Sequence, residues 1–146
     1  MPLSRDSKIV CAILLIAVPS IMYGGIILLG LLTDGAAGLA PGNLELDETQ
    51  RSLWRAGHAH AGVFVVLSLI LQPLVDQTGF SRIFKWIARL GAPAAAIFLP
   101  AGFFGLAFIP GFRWLVYLGI ACLAISMLLT GVGLLANLRI AASPRS

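Results

Sequence analysis

The stretch LWRAGHAHAGVFVVLSLILQPLV, residues 53–75, decides how this chain must fold. Its 23 residues hold a single fixed charge, Arg55, and Val, Leu, Ile, Phe and Ala fill most of the other positions. At 1.5 Å per residue a helix of this length extends about 34 Å, enough to cross the roughly 30 Å hydrocarbon layer of a bilayer. A soluble alternative would have to bury such a run on every side. The chain has only 146 residues, of which 59% are hydrophobic and 11% charged. With a mean hydropathy of +0.97, it carries more apolar surface than one small soluble core can cover.

Three further runs of the same kind lie to either side, at Ile9 to Leu32, Trp86 to Ile109 and Trp114 to Leu138. The expected fold class is therefore an all-α integral membrane protein, a four-helix bundle making one membrane domain of residues 1–146. The first connection, from Thr33 to Gln50, is glycine-rich and then acidic, while the second, from Asp76 to Lys85, is basic. The third is little more than IPGF, and its Pro110-Gly111 pair signals a tight turn between antiparallel helices 3 and 4. Arg5 and Lys8 ahead of the first run resemble the start of a signal peptide. That run is longer than an ordinary signal core, so it is expected to be retained as a helix.

Basic residues set the expected orientation. With a cytoplasmic N-terminus, Arg5, Lys8, Arg82, Lys85, Arg89, Arg139 and Arg145 fall on the inner side, and only Arg51, Arg55 and Arg113 on the outer. Seven against three places both termini inside. The basic balance thus reflects contact with anionic headgroups, and no basic and aromatic pattern for nucleic acid accompanies it. A bacterial inner membrane is the expected setting.

The chain's two histidines both lie in the opening stretch, in RAGHAHAG, near the outer face on this topology. Asp47 is the expected N-cap of helix 2 with Glu48 in its first turn, and Trp54 an interfacial anchor. At about 100° per residue, Arg51, Arg55, His58, Gln72 and Asp76 share one stripe, expected to face the bundle. His60 falls nearly opposite, among Leu53, Phe64, Leu67 and Leu71, on an expected lipid or subunit face. His58, His60, Arg51 and Arg55 are the candidate residues for a haem or an anionic ligand. His58 and His60 are candidate metal ligands, but not for the same ion.

An H-x-H pair on one membrane helix is similar to the motif of heme-copper oxidases and nitric oxide reductases, where two histidines on opposite helix faces ligate two different haems. Two residues give about 200° of rotation, which is why that spacing serves two faces. The resemblance covers three residues, and the further histidines of those families are absent here. It implies haem as the leading cofactor if one is bound, with an arginine beside the propionates.

Other chemistry has little to draw on. There is no P-loop, G-x-S-x-G, H-E-x-x-H or C-x-x-C-H. Cys11 and Cys122 are expected near opposite sides of the bilayer and so unable to pair. Glycines in all four helices, among them Gly24, Gly25, Gly57, Gly62, Gly102 and Gly133, favour close helix packing. Three functions remain open. The first expectation is a small, non-catalytic accessory or scaffolding subunit whose partners are the bilayer and either other membrane subunits or further copies of itself. The alternative is a haem-, metal- or quinone-binding redox component, and the third is an oligomeric transporter or channel.

Overall fold

The computed structural model describes residues 2–39, 42 and 44–142, the last four of these by backbone alone. The Arg139 side chain and Arg145, both used above for orientation, lie outside that description. Among the described residues all regular structure is helical: α1 (Arg5–Leu32), α2 (Glu48–Asp76), α3 (Arg82–Leu106) and α4 (Arg113–Ala142), with a single 3-10 turn at Pro110–Phe112. Each of the four is long and apolar enough to cross a membrane.

The helices reach beyond the apolar runs because polar residues cap them. Ser4 accepts a hydrogen bond from the Ser7 amide at the start of α1. Asp47 and Gln50 form a reciprocal capping box at the start of α2, with bonds of 2.8 and 2.9 Å, which satisfies two amides that the helix itself cannot. The end of α1 is closed by its own loop. Thr33 donates to the Leu29 carbonyl, and the chain then turns back so that the Leu39 amide donates to the Ile26 carbonyl at 3.1 Å. Gly38 makes this possible: its φ is +75°, and a Cβ there would press on the α1 backbone.

Adjacent helices in sequence are neighbours in space. α3 packs extensively on both α2 and α4, while α1 packs chiefly on α2. The buried face of α3 is a stripe of small residues, Ala88, Ala92, Ala95 and Gly102, joined by Leu99. At Gly91 the approach is closest, because a Cβ there would sit 2.5 Å from the Cys122 carbonyl oxygen of α4. A second cluster, formed by Val10 and Leu14 of α1 with Val65 of α2, is flanked by Trp86 and Ala96 of α3. Pro93 and Pro100 stand inside α3 without ending it.

The first residues of α1 and the last of α4 share one end of the bundle. Ser4 bonds to Asp76 there, and the Asn137 amide donates to the Gln77 carbonyl at 2.8 Å. The bundle is therefore up-down-up-down, with the α1–α2 loop and the Pro110 turn at the opposite end.

Candidate functional site

At the end holding the α1–α2 loop, α2 carries the four residues singled out by the sequence, and the structure does not bring them together. Arg51 turns outward, donating to Asp34 at 2.7 Å and to the Leu46 carbonyl at 3.0 Å. Arg55 is half-exposed and pairs with Glu48 of its own helix, also at 2.7 Å. Both guanidiniums thus meet carboxylates near the loop, and neither lines the space around a histidine.

His58 faces another helix of the bundle, as its helical phase indicates, and that helix is α1. The Cε1–Nε2 side of its ring rests against α1 where Gly25 has no side chain, so closely that a Cβ would stand 3.0 Å from both atoms. His60 departs from expectation. It does not face away from the chain: its ring packs on Phe103 of α3, with centroids 4.9 Å apart, and on Phe64 at 5.3 Å. The reason is that α2 is flanked by α1 on one side and α3 on the other, so opposite faces of the helix are both covered. Its Nδ1 lies 2.6 Å from the Ala56 carbonyl, one helical turn back, which accepts its proton. That bond gives the His60 N–H an acceptor within its own helix, and the two phenyl rings cover the faces of the imidazole.

Haem fits this arrangement poorly. A macrocycle centred on an iron at the His58 Nε2 would overlap α1, which Gly25 holds against that nitrogen, and the His60 ring is wedged between two phenylalanines. Among the described residues no three of His, Cys, Asp and Glu converge on a point that could hold a metal ion. Cys11 and Cys122 are both free thiols.

Beside His58 lies a cleft of about 460 Å³ bounded by α1, α2 and Phe104 of α3. Ser20 and Gly24 line it from α1, and Trp54, His58 and Ala61 from α2. Trp54 stands edge-on to Phe104, with centroids 5.4 Å apart. Its indole nitrogen is buried with no acceptor among the described residues.

The densest polar cluster is at the other end, where the sequence suggested only a basic loop. Arg89, counted above among surface charges, is seven residues into α3 and 2% exposed. Its Nη2 donates to Asp76 at 2.6 Å and to the Ser7 hydroxyl at 3.1 Å. Its Nη1 is 3.8 Å from Asp6. Asp76 also accepts from the Ser4 amide and hydroxyl, at 2.9 and 2.7 Å. Deeper in, the Ser7 hydroxyl donates to the Gln72 carbonyl, and the fully buried Gln72 amide donates to the carbonyls of Ser68 and Arg89. One charged pair with its hydrogen bonds thus ties α1, α2 and α3 together. A cleft of about 870 Å³ opens over it, with Arg82 and Lys85 on its wall.

A sequence signal for Arg89 exists. It stands three residues before Ala92, on the small-residue face of α3, so helical phase places it in the interior even though its charge suggests the surface. No family model, curated protein or solved structure matches the chain.

Proposed function

We propose that this chain is an integral membrane protein with both ends on the cytoplasmic side, serving as a small non-catalytic subunit beside other membrane polypeptides or further copies of itself. One observation carries the reading: large aliphatic side chains cover the outside of the bundle, while several polar side chains, an arginine among them, are buried within its apolar core. Ile16 is 79% exposed, Leu128 68% and Ile97 67%, while Ser7, Ser68, Gln72, Arg89, Ser126 and Thr130 are buried. A soluble bundle distributes these residues the other way round. The charge of Arg89 is neutralised by Asp76, which leaves six basic residues against three for the same orientation, so the asymmetry survives.

The buried hydroxyls and the Gln72 amide nitrogen donate to backbone carbonyls, and three of these bonds cross between helices, Ser7 to Gln72, Gln72 to Arg89 and Ser126 to Ala88, as interhelical fasteners do. That favours a scaffold over a conduit, since a path for ions needs polar groups facing water. Within the most apolar part of α1 only 11% of residues are buried by the rest of the chain, leaving most of that helix to meet lipid or a neighbour.

Two measurements test this. Alkaline extraction of membranes should leave the protein in the pellet, and recovery in the supernatant would overturn the membrane reading. Solubilisation in a mild detergent should then yield a particle larger than the 15.4 kDa chain with its micelle, holding defined additional polypeptides or copies; a lone monomer would overturn the subunit reading.

A further inference from the structure

The cleft beside His58 has no part in joining the helices, and its lining describes an occupant. Only one of the two histidines, His60, has a hydrogen bond among the described residues. The His58 imidazole instead borders a cleft whose other walls are aromatic rings, small residues and aliphatic chains. The buried indole N–H of Trp54 in the same wall lacks an acceptor. The imidazole offers an N–H donor, and a donor kept in apolar surroundings without an acceptor costs free energy, whereas the Trp54 nitrogen has no exposed surface and that residue offers the cleft only its ring.

Charge narrows the class of ligand. No ionised side chain lines the cleft, and the nearest arginines in sequence are held by Asp34 and Glu48, so the occupant is neutral. Its volume, about 460 Å³, lies in the range of small-molecule sites, which are mostly apolar with a few placed polar groups. Trp54 and Phe104, packed edge to face on each other, form one aromatic wall of the cleft, against which a flat ring can lie. Trp54 and His58 lie on the first three turns of a membrane-crossing helix, so a ligand arrives through the lipid.

We propose that this cleft binds a neutral, lipid-soluble carbonyl compound of the quinone class, with His58 Nδ1, the ring nitrogen that is not packed on Gly25, donating a hydrogen bond to a ring carbonyl and the Trp54–Phe104 pair lying along one side of the ring. The proposal concerns binding alone and rests on the membrane reading above. It assigns the exposed aliphatic surface around the cleft to the ligand's tail.

Equilibrium binding of tritiated decyl-1,4-benzoquinone to the protein in nanodiscs, with empty nanodiscs as the blank, tests it. Saturable uptake of one molecule per chain is expected. Gly24 lines the cleft and a Cβ there meets nothing within 4 Å, so the side chain of Gly24→Leu starts in open space, should occupy the cleft and should abolish saturable binding. His58→Leu should weaken binding by about tenfold, the net worth of one hydrogen bond after exchange with water. His60→Leu, on the other face, should bind as wild type does. Decylbenzene, with the same tail on a flat six-membered ring but no carbonyl, should fail to compete.

Uptake no greater than the blank overturns the proposal, as does unchanged binding in a Gly24→Leu variant that keeps its helical circular dichroism. Equal competition by decylbenzene overturns it too, and makes the cleft a groove for lipid chains. If His58→Leu does not fold, Gly24→Leu and the competition decide. A chain that stays in the alkali-washed membrane yet binds no quinone refutes this site alone, whereas release by alkali refutes the membrane reading beneath it.

Discussion

Replacing Asp76 by Asn removes one charge from the inner cluster and keeps its shape. Arg89, 2% exposed, would then hold its guanidinium among Ser7, Gln72 and the α3 helix with Asp6 as the only carboxylate in reach, 3.8 Å from Nη1. Breaking a buried ion pair on one side costs about 3–5 kcal/mol, because the remaining charge stays desolvated. Two features put this case at the low end. Asp76 itself is 17% exposed, so water reaches the edge of the pair, and Asp6 gives partial compensation.

The expected loss is therefore about 3 kcal/mol, which shifts the unfolding equilibrium by roughly two powers of ten. Arg89→Met should cost less, since Asp76 keeps the Ser4 amide and hydroxyl as donors and can turn toward water. The double variant should be more stable than the sum of the single losses predicts, by at least about 1 kcal/mol, because it leaves neither charge alone. Titration from dodecylmaltoside into sodium dodecyl sulfate, followed by tryptophan fluorescence, measures all four proteins. An Asp76→Asn protein within 0.5 kcal/mol of wild type, on the ordinary scale of surface changes, or strictly additive losses, would refute the claim that this pair locks the three helices.

Four other outcomes follow from the packing and capping. Gly91→Ala places a methyl 2.5 Å from the Cys122 carbonyl oxygen and should force α3 from α4, lowering the unfolding midpoint in the same titration. Gly62→Ala, where nothing lies within 4 Å, should leave the midpoint unchanged or raise it by up to about 1 kcal/mol through helix propensity. Asp47→Ala removes half of the α2 capping box and should cost about 1 kcal/mol, read most directly as faster amide exchange at Glu48 to Gln50. His60→Phe keeps an aromatic ring against Phe64 and Phe103 and should alter stability by less than about 1.5 kcal/mol, whereas His60→Ala leaves a void and should cost more.

The sequence and the structure agree where a single physical rule governs, and part where two rules compete. Four helices were legible because length and hydropathy depend on nothing outside each segment. Asp47 was legible as a cap for the same reason: side-chain oxygen, first-turn acid and apolar run stand next to one another. Helical phase turned His58 toward the bundle, and the structure shows that the helix it meets there is α1. It failed for His60 because phase gives a direction and not a neighbour, and α3 happens to cover the face that a two-helix picture leaves to lipid. Arg89 shows the competition most clearly. Its charge, and its place near a basic loop, argue for the headgroups; its position on the Ala88–Ala92–Ala95 stripe argues for the interior. Burial wins because its partners, Asp76 at the end of α2 and Ser4 and Ser7 at the start of α1, converge on it from segments more than ten and eighty residues away in the chain. No local pattern shows such a convergence. What the sequence does hold is the imbalance: an arginine on the small-residue face of an apolar helix needs a carboxylate from a neighbour, and Asp76, at the same end on the preceding helix, was the nearest one to ask for.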